Sequence, residues 1–153
     1  MRGSYFAVTS FFKEIEDLGK SFNKNRTSAY LGSPKHFFKN LIEKKWGKKE
    51  FVLFDGSFAT DADLHFEILD ENNMKLIKVK GKHITTNSLT TQKFYRSFNT
   101  LYNNKEQSKI IFKTAEFYVD AFGNHTHIDQ IDFSGEISKK RFGDMLPLDF
   151  EPK

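Results

Sequence analysis

SPKHFFKNLIEKKWGKKEFVLFDG, residues 33 to 56, contains the point at which this chain changes its periodicity. Phe37, Phe38, Leu41, Ile42 and Trp46 recur at helical spacing, and the lysines fill the other positions. Ser33-Pro34 is a helix start: a hydroxyl N-cap followed by proline where no backbone donor is needed. Gly47 reads as the stop, giving a helix from Pro34 to Trp46. From Glu50 the period drops to two, so Phe51–Phe54 reads as a short strand and Asp55-Gly56 as its turn. Helix first, antiparallel strands after, is the signature of an α+β layer architecture.

Upstream, Phe11, Phe12, Ile15, Leu18 and Phe22 predict an amphipathic helix over Thr9–Phe22, broken by the polar run NKNRTS. Downstream, Leu64, Phe66 and Ile68 alternate with polar residues, DENN turns the chain, and Ile77 and Val79 alternate with lysines. That is a hairpin with one dry face. Phe94, Phe98, Leu101 and Tyr102 fit a third helix of about three turns within residues 85–104, while the strand propensity of the threonines and aromatics there argues for a strand, so both readings stay open. Lys109–Phe122 and His125–Ile137 read as a long hairpin about Gly123-Asn124. Its first arm is apolar on both faces, as in a strand covered on both sides. Met145, Leu146, Leu148 and Phe150 predict that the tail packs down.

These readings give one domain over residues 1–153, within the common size range. A basic helical part spans 9–49, a sheet-rich body 50–137 and a packed tail 138–153. Two N-terminal helices and one later helix would pack on a curved, mostly antiparallel sheet. In element order this looks similar to the cystatin-like or nuclear-transport-factor-2-like (NTF2-like) cone, a likeness of topology alone. An OB-like small barrel with a helical extension is the alternative. The opening MRGS has the form of a vector-derived leader (residues 1–4). An exported or membrane-anchored origin therefore stays open, with any anchor ahead of Tyr5.

Composition removes several functions. The chain has 153 residues, eighteen phenylalanines and no cysteine. Thiol catalysis, disulfide scaffolding and cysteine-ligated zinc are therefore out. No run approaches the ~20 apolar residues of a membrane span, and no signal-peptide pattern is visible. The net charge of +4 is uneven: residues 1–49 carry eleven basic and four acidic side chains, the remainder thirteen and sixteen. P-loop, G-x-S-x-G and G-x-G-x-x-G patterns are missing, which removes the common nucleotide and hydrolase classes.

Three sets of residues are candidates for function. Lys35, Lys39, Lys44, Lys45, Lys48 and Lys49, joined by Lys93 and Arg96, could hold nucleic acid or another anion. The same lysines also suit the solvated side and C-terminal end of a helix, where cations are favoured. In GNHTHID, a strand would point His125, His127 and Asp129 to one face, with Asp120 opposite His127 and His65 as a further ligand. Two imidazoles and a carboxylate are a metal or small-ligand arrangement. Asp55, Asp61, Asp63, Asp129, Asp132 and Glu136 are carboxylates that general acid–base chemistry would need in a desolvated pocket. Each reads more simply as a turn or solvated strand residue.

The leading expectation is a non-enzymatic protein-binding or assembly module, microbial and self-associating, with no cofactor. If MRGS is a vector-derived leader, the module fits the soluble part of a larger, envelope or secretion-type complex. Eighteen phenylalanines exceed what a domain this size must bury, and surplus apolar surface commonly meets a partner. The alternatives are a nucleic-acid-binding module using the Lys-rich helix 35–49, and a cone-fold ligand binder or enzyme using His125 and His127.

Overall fold

The computed structural model describes residues 20–85, 92–140 and 145–152. Helix α1 spans Lys20–Tyr30 and α2 spans Pro34–Glu43. Nine strands follow among the described residues: β1 Phe51–Asp55, β2 Phe58–Thr60, β3 Phe66–Glu71, β4 Met74–Val79, β5 Lys82–Thr85, β6 Gln92–Tyr102, β7 Glu106–Phe112, β8 Glu116–Asp120 and β9 Ile131–Gly135. A one-turn helix, α3, closes the series at Glu136–Lys139. The larger antiparallel sheet runs β2-β1-β6-β7-β9, with β5 beside the first part of β6; the smaller runs β3-β4-β8.

Alternation decides which faces are dry. Phe51 and Leu53, Phe98 and Thr100, Ile110 and Phe112, and Ile131 point inward from the large sheet. Phe66, Ile77, Val79, Phe117 and Val119 point inward from the small one. Their rings meet: Phe66 lies 5.3 Å from Phe98, and Phe112 stacks on Phe117 at 5.7 Å. Helix α2 closes the core with Phe37 against Phe51 and Phe38 against Phe117. Both phenylalanines have no exposed surface, so the aromatic stripe of the opening stretch faces inward. Each such ring contributes roughly 1.5–3 kcal/mol of burial.

The start of α2 is as expected: Ser33 Oγ accepts from the His36 N–H at 3.2 Å, and Pro34 occupies the first turn. Its end is not. The helix stops at Glu43 because Lys44 adopts φ 56°, letting the Lys45 N–H reach the Asn40 carbonyl at 2.9 Å. This is the six-to-one bond of a Schellman ending, made here by a lysine rather than by Gly47. Trp46 then bridges to Phe51.

Three further expectations change. Residues 9–19 of the first predicted helix lie outside the described residues, and NKNRTS does not break it: residues 23–28 are helical within α1. The third helix over Phe94–Tyr102 is instead strand β6. A spacing of four places Phe94, Phe98 and Tyr102 on one face of a strand as well as of a helix. The long hairpin of 109–122 with 125–137 does not form. β7 pairs with β6 and β9 in the large sheet, whereas β8 pairs with β4 in the small one. The segment looked apolar on both faces because the inward parity switches, from Ile110 and Phe112 to Phe117 and Val119, across the break between the sheets.

Gly81 makes the opposite crossing, from β4 in the small sheet to β5 beside the large one. A Cβ there would collide with the Phe94 ring. The tail docks chiefly through its backbone. Met145 and Leu148 are exposed, while Phe150 lies 5.9 Å from Tyr30.

Candidate functional site

The lysines of the α2 region divide into committed and free groups. Lys35 is only 2% exposed, and its ammonium donates to the Pro147 and Leu148 carbonyls at 2.8 and 2.9 Å. Lys39 pairs with Glu43 and Glu151 and donates to the Ala121 carbonyl. Lys44 pairs with Asp63 and Lys45 with Glu43. Lys48 and Lys49 are exposed, with no ion pair to another described residue. Four of the six ammonium groups thus already have partners within the chain.

The residues expected to form a metal or ligand set are dispersed by the loop after β8. Asp120 accepts from the Phe122 and Asn124 N–H groups at 2.8 and 2.9 Å, so it staples the loop. His127 sits at φ 57° and is exposed, with Nδ1 2.9 Å from Thr126 Oγ1. Asp129 is exposed in the one-turn 3-10 helix Ile128–Gln130. His125 turns the other way, its ring 4.4 Å from that of Phe38. Its Nε2 is buried without a hydrogen-bond partner, and burial lowers its pKa to about 4. The straight strand that would align His125, His127 and Asp129 does not exist. Among the described residues no group of three or more His, Asp or Glu is placed to hold a metal ion.

His36, which no sequence pattern singles out, is buried in the first turn of α2. Its Nδ1 accepts from the Gly32 N–H at 3.1 Å, leaving Nε2 to donate to Glu50 at 3.3 Å. Burial lowers its pKa to about 4 against the opposing pull of Glu50. This is a structural, neutral imidazole.

A second polar cluster joins side chains far apart in sequence. Arg96 Nη2 donates to Asp55 Oδ2 at 2.7 Å and lies 3.2 Å from His65 Nδ1. His65 Nε2 is 2.8 Å from Thr60 Oγ1, and the guanidinium lies over Phe98 at 4.7 Å. Burial, then the Arg96 charge, lowers the His65 pKa. With Nδ1 facing the guanidinium, Nε2 carries the proton and cannot accept one from Thr60. The cluster ties the β1–β2 hairpin to β6; it is not arranged as a base–nucleophile pair. Four other carboxylates of the expected set are engaged: Asp61 accepts from the Asp63 N–H, Asp63 pairs with Lys44, Asp132 with Lys113 and Glu136 with Lys139.

Further exposed groups lie on the outer sheet faces. On the small sheet, Leu69, Leu76 and Tyr118 form one cross-strand row. Leu69 is exposed; Leu76, Tyr118 and the neighbouring Met74 are half-buried. Glu67, Lys78 and Glu116 form the adjoining row. On the large sheet a depression of about 450 Å³ is lined by Phe54, Asn99, Gln107, Lys109 and Ser134, among others. No helix of the described residues is long and apolar enough to cross a membrane. Comparison with protein-family models, with curated proteins and with solved structures finds no match to this chain.

Proposed function

We propose that this chain is a non-enzymatic protein-binding or assembly module that self-associates through the outer face of its small sheet. The observation that carries this reading is the row Leu69–Leu76–Tyr118, apolar across all three strands and bordered by charged residues. A half-exposed apolar row with a polar rim is the pattern of an interaction surface. Identical rows stack on one another about a two-fold axis, the symmetry of most homo-oligomers. The structural commitments of His36, His65, Asp55 and Asp120 to hydrogen bonds within the fold also support this reading. The patch is small, so the association belongs to the weak, transient class.

The finer fold reading, an NTF2-like or cystatin-like cone, is supported by element order: two helices precede the antiparallel sheet. Nucleic-acid binding through Lys35–Lys49 is the weaker alternative, since Lys35, Lys39, Lys44 and Lys45 all have internal partners. Sedimentation velocity over rising concentration tests the main reading. A sedimentation coefficient that climbs for the parent chain but stays flat for Leu76→Lys supports it. A monomer at every concentration contradicts it.

A further inference from the structure

From Asn72 to Lys105 the chain carries six lysines and one arginine and not a single carboxylate. Dividing the charge into an N-terminal third and a remainder conceals this, because acidic residues crowd on both sides. The structure gives the stretch a shape. β5 and the first part of β6 form a two-stranded ribbon with Lys82 directly opposite Tyr95. Lys93 lies two residues from Tyr95 on the same strand, hence on the same face. Lys80, Lys82, Lys93 and Tyr95 are all exposed, and none of the three lysines has an ion pair to another described residue.

That face continues along β6. Tyr95, Ser97 and Asn99 alternate with the inward-facing Phe98, so the ribbon's outer side runs into the outer side of the large sheet. There Phe54, Asn99, Lys109 and Ser134 lie in one cross-strand row, bordering the depression of about 450 Å³. Lys109 is exposed and likewise has no ion pair to a described residue. Asp55 on β1, Asp132 on β9 and Glu136 beside Gly135 are paired with Arg96, Lys113 and Lys139. Ammonium groups therefore dominate a continuous face that also offers an aromatic ring, amides and a hydroxyl.

We infer that this face, from the β5–β6 ribbon to the depression over β1, β6 and β7, binds single-stranded nucleic acid. Lys82, Lys93 and Lys109 neutralise phosphates, Tyr95 provides a stacking ring, and Asn99 and Gln107 meet base edges. Free lysines combined with an exposed aromatic are the chemistry by which sheet surfaces hold an unpaired strand. Tyr95 and Asn99 are about 13 Å apart along β6. That length suits about four nucleotides, the low end of site sizes for such surfaces. The surface is distinct from the apolar row of the small sheet, and neither proposal requires the other.

The test is fluorescence anisotropy of the full chain with a labelled short oligothymidylate, a blunt duplex of equal length and phosphatidylserine vesicles. The expected result is single-strand binding with a log–log salt slope of about −2, the value for three phosphates. Lys82→Ala/Lys93→Ala/Lys109→Ala should weaken it at least about tenfold and flatten the slope. Tyr95→Leu should weaken it about fivefold or more without changing the slope. Lys48→Ala/Lys49→Ala and Leu76→Lys should leave it unchanged. All these positions are exposed or half-buried, and circular-dichroism melting confirms that each variant is folded. Lack of binding at low salt, preference for the duplex or the vesicles, or an unaffected triple variant would overturn the assignment.

Discussion

The ammonium of Lys35 lies 2.8 Å from the carbonyl oxygen of Pro147, joining the first turn of α2 to the C-terminal tail across 112 positions of sequence. A buried cation is held where carbonyl oxygens replace its water, and here the tail supplies two. Asn124 adds a third bond from its Nδ2 to the Leu148 carbonyl at 2.8 Å.

Replacing Lys35 with methionine keeps the aliphatic stem and removes the donors. Two charge-assisted bonds are lost, with an expected destabilisation of about 1.5–3 kcal/mol. The tail should become the first site of limited proteolysis. Urea denaturation and mass spectrometry of early fragments check both outcomes, and unchanged stability with a protected tail would refute the latch.

Acid should destabilise the protein through two imidazoles that folding removes from water. His36 and His125 have folded pKa values of about 4, below the ordinary 6.5. Between those values the unfolded chain binds more protons, so stability rises with pH through this window. It is complete above pH 6.5 and falls progressively toward pH 4, by up to about 3 kcal/mol for each histidine. Urea midpoints measured from pH 7.5 down to 4.5 test this; a flat profile is the contrary result.

His125→Phe separates packing from chemistry. The Nε2 is buried without a hydrogen-bond partner and the ring already packs on Phe38, so an apolar ring should stabilise by about 1 kcal/mol at neutral pH. It should also remove about half of the acid sensitivity. Zinc binding by the parent chain that this variant loses would instead revive the ligand-site reading.

Arg96→Leu should cost about 1–2 kcal/mol through the lost bonds to Asp55 and His65. The His65 pKa should move up, because one of the causes that lowers it is removed while Asp55 remains to raise it. Proton NMR titration of the His65 Cε1–H signal checks the direction.

The fold was legible wherever two periods give different answers. Ser33-Pro34 and the Phe37, Phe38, Leu41 stripe admit only a helix, and the β3–β4 alternation around Ile77 admits only a hairpin. Phe94, Phe98 and Tyr102 satisfy both periods, and only pairing with β1, β5 and β7 selects the strand. The end of α2 escaped because Lys44, not glycine, takes the left-handed conformation.

The candidate sites were less legible, since their contacts are long in sequence. Nothing local to Arg96 announces Asp55, 41 residues earlier. Lys35 resembles a solvated lysine until the tail returns to it. A signal for the basic ribbon is present in the carboxylate-free run from Asn72 to Lys105, but it vanishes when charge is summed over the whole sheet-rich body.

Self-association through the small sheet is tested most directly by a single introduced thiol, since the chain has no cysteine of its own. Leu76→Cys stands at the centre of the apolar row, and Ser57→Cys marks an exposed turn of the other sheet. With a short bismaleimide, at a concentration where the parent chain sediments above the monomer, the Leu76→Cys variant is predicted to couple chain to chain while the Ser57→Cys variant stays monomeric. A Leu76→Cys variant that stays monomeric, or equal coupling of both variants, would contradict the assignment.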